Sequence, residues 1–113
     1  MNFIVKLLLT GLAVIITSYL LDGVYIEGYL AAIIVAAILA VLNAVVRPLL
    51  IILTIPITVF TLGIFLLVIN AMIILMADYI MPGFEVDGFW WALLFSIILA
   101  IINSIFESFA RKN

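Results

Sequence analysis

The side chains that most often carry catalysis near neutral pH are missing from this chain. Its 113 residues include no histidine and no cysteine. The chain therefore lacks the usual general acid/base, the thiol nucleophile and the soft metal ligands. Two carboxyl groups could in principle serve as acid and base, but the sequence places no nucleophile and no phosphate-binding glycine loop beside them. We expect no enzymatic activity and no cofactor.

Carboxylates are the remaining candidates for chemistry. Five of the six lie in two short polar segments, at Asp22, Glu27, Asp78, Glu85 and Asp87. Hard divalent cations prefer oxygen ligands, so these segments could gather such an ion. No spacing among them resembles a calcium-binding loop, however, and solvated charges that orient a membrane protein explain them equally well. We predict no metal site.

Four polar residues interrupt otherwise apolar stretches: Thr10, Asn43, Asn70 and Asn103. Their positions place all four in the same half of the predicted spans, so they could form one intramembrane polar layer. Such side chains mark a pathway or a site for an ion or a lipid headgroup. They also form hydrogen bonds between helices, each contributing about 0.6 kcal/mol, and we favour this second interpretation.

Arg47 and Glu107 are candidates for a charge pair at the cytoplasmic ends of two helices. If those helices lie near one axis, the two side chains could join the halves of the protein. The alternative is that Arg47 extends to the lipid headgroups.

The amino-acid composition indicates which medium surrounds these residues. The chain is 71% hydrophobic and 9% charged, with a mean hydropathy of +1.63, whereas a soluble domain is about half apolar and a quarter charged. The surrounding medium must be mostly lipid. The net charge of -2 and the absence of a basic patch give no reason to expect a nucleic-acid partner.

About 20 apolar residues cross the hydrocarbon as a helix. The apolar stretches predict an all-α membrane protein with four spans, at residues 3–21, 29–46, 61–77 and 89–106. We end the second span at Arg47 because proline at position 48 disfavours helix at the residue before it. Residues 49–60 are then a short apolar linker, broken at Pro56 and either interfacial or re-entrant. The first span could instead be a signal peptide, but it lacks a small-x-small cleavage site.

The cations set the predicted orientation. Lys6, Arg47, Arg111 and Lys112 fall at the two termini and between spans two and three. The positive-inside rule places these segments in the cytoplasm and the two acidic loops outside. We predict a multi-pass membrane protein with both termini on the cytoplasmic side.

An offset of 60 residues aligns the chain with itself without a gap. The aligned pairs include Tyr19 with Tyr79, Gly23 with Gly83, Gly28 with Gly88 and Asn43 with Asn103. We predict a single domain over 1–113, with repeat 1 at about 1–48, a linker at about 49–60 and repeat 2 at about 61–110. Each repeat is one helical hairpin, and the two parallel hairpins are related by a pseudo-twofold axis along the membrane normal.

Small residues recur at every fourth position of the second and fourth spans. They are Ala32, Ala36, Ala40 and Ala44 in the second span and Ala92, Ser96, Ala100 and Ser104 in the fourth. Small side chains let helix backbones approach closely, which favours association in lipid. We interpret these two small-residue ridges as helix-packing surfaces.

Two blocks of sequence carry a family resemblance. The segments Asn43-Ala44-Val45-Val46-Arg47-Pro48 and Pro82-Gly83-Phe84 resemble those of the YvlD-like family, bacterial four-span membrane proteins grouped as phage holin superfamily IV. The resemblance covers nearly the whole chain. It implies four spans in a bacterial membrane and provides no catalytic residues to transfer. The family name implies phage lysis, although its members are common in bacterial chromosomes.

Three functions are compatible with the sequence. The first is a non-enzymatic component of the cell envelope that forms a homo-oligomer or binds a membrane protein partner, with membrane lipid around it. The second is an oligomeric holin-like pore or channel, since four close-packed helices leave no room for an aqueous lumen. The third is a transporter of lipid or small solutes, favoured by the parallel repeats and the polar layer.

Overall fold

A computed structural model describes residues 2–111 and the side chains of residues 2–110. Its elements are, in chain order, α1 Phe3–Leu20, β1 Val24–Ile26, α2 Tyr29–Val41, a π-helical turn Leu42–Val46, α3 Arg47–Leu53, α4 Ile55–Phe60, α5 Phe65–Ile80, β2 Phe84–Val86 and α6 Phe89–Arg111. The predicted all-α membrane fold is confirmed. In the described part of the chain, α1, the continuous helix Tyr29–Leu53 and α6 are long and apolar enough to cross a membrane, while α5 is a shorter apolar helix.

Four long helices form the bundle. α1 packs against α2 and α6, and α5 packs against α6 and α2. At Gly11 the first hairpin closes tightly: a Cβ atom there would lie 3.1 Å from Ile33 Cγ1 and 3.3 Å from Ile33 Cα. Glycine is therefore what lets the α1 backbone approach α2 this closely.

Two loops that the sequence marked only as polar pair with each other in space. β1 and β2 form an antiparallel two-stranded ribbon with Tyr25 opposite Glu85. The flanking hydrogen bonds also match across the two halves, because Glu27 donates its N–H to Gly83 O and Asp87 donates its N–H to Gly23 O, each at 2.8 Å. Opposed residues at the ribbon centre are 60 positions apart, which is the register that a pseudo-twofold axis through the ribbon would produce.

The ribbon defines one end of the bundle, here called the ribbon end. Phe84 points inward from β2 and is fully buried, and its ring lies 5.4 Å from that of Phe95 on α6 at an interplanar angle of 60°. Val14 and Val35 are also fully buried. Packing at native density leaves no water-sized passage through such a core, so the bundle is closed at this end.

At the opposite end, here called the linker end, the helix bounds differ from the sequence prediction. The second long helix does not stop at Arg47 but continues through Pro48 to Leu53. Proline removes one helical hydrogen bond and clashes with the carbonyl four residues earlier. The π-helical turn widens the helix immediately before Pro48, with the Arg47 N–H donating to Leu42 O five residues back. This wider turn accommodates the ring without ending the helix.

The linker is helical as well. The break falls at Thr54, whose φ of −108° and ψ of 13° separate α3 from α4. The Thr54 hydroxyl donates a hydrogen bond to Leu50 O at 2.6 Å. It therefore gives one backbone carbonyl near the end of α3 a hydrogen-bond donor. α4 carries Pro56 in its first turn, where the missing N–H costs little. Both linker helices pack on α5, which begins at Phe65 rather than at the predicted residue 61.

Candidate functional site: two clefts at the linker end

The helices diverge toward the linker end and leave two clefts. The first, here called the α1 cleft, lies between α1, α2 and α6 and has a volume of about 490 Å³. The second, here called the α5 cleft, lies between α2, α5 and α6 and has a volume of about 250 Å³. Four residues line both clefts: Leu39, Asn43, Leu99 and Asn103. Together they form the wall that the two clefts share.

The two clefts are built from equivalent positions. In the α1 cleft the lining residues include Thr10, Ala36, Ala40, Asn43 and Glu107. Sixty positions away, and in the α5 cleft, lie Asn70, Ser96, Ala100, Asn103 and Arg47. The predicted repeat of 60 residues therefore maps one cleft onto the other. The mapping preserves which helix positions line the clefts, although the volumes differ, and it places Arg47 in one cleft where the other has Glu107.

All four residues of the predicted polar layer line these clefts. Thr10 faces the α1 cleft, Asn70 faces the α5 cleft, and Asn43 and Asn103 face both. None of their side chains forms a hydrogen bond with another part of residues 2–110. The interhelical hydrogen bonds that we favoured from the sequence are thus not formed, because the helices have separated at this level. The amides and the hydroxyl are directed into open space instead.

Charged side chains lie beside this layer. Lys6 and Glu107 line the α1 cleft, and Arg47 lines the α5 cleft. Arg47 and Glu107 are partly buried, and Lys6 is exposed. Within residues 2–110 no ion pair of 4 Å or less joins any of the three to a carboxylate or an ammonium group. The predicted Arg47–Glu107 pair is therefore not in contact, although both members are at the same site.

Lys6 is the cleft residue that sequence reasoning missed. From the sequence, Lys6 is only one of the cations that set the predicted orientation. Its neighbours Phe3, Leu7 and Thr10 line the same cleft, and the spacing of three and four residues places all of them on one face of α1. Thr10 was already in the polar layer, so helical spacing from Thr10 was the signal available.

The small-residue ridges have two different environments. Ala32 and Ala92 are buried near the ribbon end, and Ala36 is buried where it lines the α1 cleft. Ser96 is half-buried and donates its hydroxyl to Leu93 O at 2.8 Å. Toward the linker end the remaining ridge residues are exposed: Ala40, Ala44, Ala100 and Ser104. In that half, small side chains leave the clefts open.

The acids of the ribbon end serve the local fold. Asp78 accepts a hydrogen bond from the Val86 N–H at 3.1 Å and so holds β2 against the end of α5. No group of three carboxylates among the described residues lies close enough to hold a metal ion. Exposed aromatic side chains surround this end at Tyr19, Tyr25, Tyr79 and Trp90, as expected for a membrane interface.

The orientation markers are distributed as the sequence suggested. Lys6 and Arg47 lie at the linker end, and Asp22, Glu27, Glu85 and Asp87 lie at or beside the ribbon. The Arg111 side chain and Lys112 lie outside the described residues.

Comparison with known proteins gives consistent matches over nearly all of the chain. The family described as "Mycobacterial 4 TMS phage holin, superfamily IV" matches residues 1–105. An uncharacterized membrane protein, YvlD, of Bacillus subtilis is 40% identical over 104 residues, which cover 91% of this chain and 87% of the relative. An uncharacterized protein of Streptomyces coelicolor is 36% identical, with 96% of this chain and 94% of the relative covered. No solved structure matches the chain.

Proposed function

Because the chain belongs to the four-span phage holin superfamily IV, we propose that it is a non-enzymatic component of the bacterial cell envelope that acts by binding a partner inside the membrane. The partner contributes a polar group to the paired clefts, and it is a second copy of the chain, another membrane protein or a lipid. We place the linker end on the cytoplasmic side, where Lys6 and Arg47 satisfy the positive-inside rule.

One observation carries this proposal: the polar layer faces open clefts and has no partner within residues 2–110. A polar group withdrawn from water without a hydrogen bond costs about 1–3 kcal/mol in proteins. If only acyl chains filled the clefts, each of the three amides and the hydroxyl would bear such a cost. A polar occupant of the clefts removes that cost, and partner binding is the activity that supplies one.

The experiment is photo-crosslinking in living cells. A photoreactive benzophenone amino acid at Asn43, which lines both clefts, should yield a discrete adduct with a second copy, another membrane protein or lipid. The matched control has the same benzophenone amino acid in place of Leu94, which is exposed on α6 and lies outside both clefts. An adduct pattern at Asn43 no different from that at Leu94 would show that nothing specific occupies the clefts.

A holin-like pore is the second candidate, and the family description favours it. The closed ribbon end, with Phe84 and Phe95 fully buried, prevents conduction through a single copy. A pore would therefore form between copies. Purified protein in liposomes, with its copy number counted by single-molecule photobleaching, separates the two candidates. The partner-binding proposal expects no ion leak at any copy number, and a leak that rises with copy number would favour the pore.

A further inference from the structure

Equivalent positions of the two clefts carry opposite charges. Arg47 in the α5 cleft and Glu107 in the α1 cleft are 60 residues apart, and both are partly buried. Neither forms an ion pair within residues 2–110. A charge withdrawn from water is costly unless a counter-charge or hydrogen bonds compensate it. An anionic group beside Arg47 and a cationic group beside Glu107 would compensate these two charges.

Asn43 and Asn103 line both clefts, so each can offer an amide donor and an amide acceptor to a polar molecule bound there. The α1 cleft, at about 490 Å³, is within the range of about 300–1,000 Å³ that is typical of small-molecule sites, and the α5 cleft, at about 250 Å³, is somewhat smaller.

We propose that the paired clefts bind the headgroup of an aminophospholipid from the linker-end leaflet. The phosphodiester lies in the α5 cleft against the Arg47 guanidinium, which donates two parallel hydrogen bonds to phosphate oxygens. Asn70 and Asn103 provide neutral donors beside it. The primary ammonium lies in the α1 cleft and donates to the Glu107 carboxylate. This inference rests on the proposed function and names its partner.

The walls of the clefts favour a lipid over a water-soluble ligand. Phe3, Leu7, Ala40 and Ala44 surround the α1 cleft, and three of these four are exposed. Acyl chains leaving the headgroup would run along this apolar surface. Lys6 also lines the α1 cleft and is exposed, so its ammonium can extend to the headgroup layer and leave Glu107 to the lipid amine.

Competitive lipid retention, measured by native mass spectrometry, tests the assignment. Purified protein is equilibrated with equal amounts of phosphatidylethanolamine, phosphatidylcholine and phosphatidylglycerol that have identical acyl chains. Phosphatidylethanolamine should be retained in excess of both others. Equal retention of the three lipids would indicate only surrounding lipid and would overturn the proposal, and so would a preference for phosphatidylglycerol.

Substitutions at the two charged cleft residues test where the lipid binds. Glu107→Gln should abolish the preference for the primary amine over the quaternary amine while phospholipid is still retained. Arg47→Gln should lower retention of all three lipids by about tenfold or more, the effect of a lost charged hydrogen bond. Glu85→Gln, an exposed acid on the ribbon, is the matched control and should change nothing. If Arg47→Gln does not fold, Arg47→Lys keeps the charge but loses the bidentate geometry, and should give intermediate retention.

Two further experiments distinguish a lipid headgroup from a free soluble ligand and test the lipid proposal separately from the proposed function. Free phosphoethanolamine and inorganic phosphate are added to delipidated protein. Weak or absent binding of both, beside retained phosphatidylethanolamine, supports a lipid ligand, whereas free phosphoethanolamine binding as tightly as the lipid would overturn it. A protein adduct from the benzophenone at Asn43 together with equal lipid retention would leave the proposed function standing and remove the lipid.

Discussion

Truncation of Phe84 tests whether the ribbon is part of the packed core. Phe84 is fully buried, and its ring packs against the fully buried Phe95. Replacing a buried phenylalanine by alanine costs about 3–5 kcal/mol, and the aromatic pair adds about 0.5–1.5 kcal/mol of coupling. The unfolded chain stays in an apolar micelle, so we expect Phe84→Ala to lower the free energy of unfolding by about 3 kcal/mol, the lower end of that range.

The assay is denaturation with sodium dodecyl sulfate from mild detergent, followed by circular dichroism and tryptophan fluorescence. Tyr25→Ala is the matched control because Tyr25 lies on the same ribbon but is 55% exposed, and it should change stability by less than about 0.5 kcal/mol. A cycle with Phe95→Ala should show non-additivity. Equal effects of Phe84→Ala and Tyr25→Ala would refute the claim that the ribbon closes the bundle.

Three other predictions concern topology and packing. A single cysteine at Glu27 should react with an impermeant maleimide added outside the cell and one at Lys112 should not; reaction at Lys112 would reverse the orientation. Gly11→Leu should destabilise the α1–α2 contact by about 1–3 kcal/mol through overpacking, and an unchanged midpoint of denaturation would show that the contact is loose. Ala32→Leu should cost a similar amount because Ala32 is fully buried, whereas Ala40→Leu should leave stability nearly unchanged and weaken occupation of the α1 cleft; equal losses from both would place Ala40 in a helix contact.

The sequence predicted the apolar helices, and it placed the candidate polar residues at one depth of the bundle. Long apolar stretches fix the existence of the spans, and the 60-residue offset relates Asn43 to Asn103 and Arg47 to Glu107. All four of these residues, with Thr10 and Asn70, are found at the two clefts. Such placement is predictable because equivalent helix positions lie at the same depth in related hairpins.

The bonding state of those residues was not predictable. Whether two amides at one depth meet depends on how far the helices diverge, and this is set by packing elsewhere in the bundle. Phe84 and the buried alanines pack the ribbon end, and the clefts lie toward the opposite end. Sequence periodicity contains no information on that divergence.

Local rules also failed at two particular segments. The rule that proline ends a helix predicted a stop at Arg47, yet a π-helical turn accommodates Pro48. The three-residue strands were missed because each is too short to show alternation, and their partner is 60 residues away in sequence. The strand pairing is a tertiary contact and the π-helical turn is a local change of backbone hydrogen bonding, and short sequence windows measure neither.

The most direct test that one lipid occupies both clefts is a double-mutant cycle that measures the coupling free energy between Arg47 and Glu107. Arg47→Gln, Glu107→Gln and the double variant are unfolded in lipid-free detergent and again with phosphatidylethanolamine. Because no direct ion pair joins the two residues within residues 2–110, we expect their effects on the free energy of unfolding to add within about 0.5 kcal/mol without lipid. When one lipid bridges both side chains, we expect a coupling free energy of about 1 kcal/mol or more. Additivity under both conditions would show that nothing joins the clefts, and coupling of the same size without lipid would show that the two residues pair directly; either result would contradict the account.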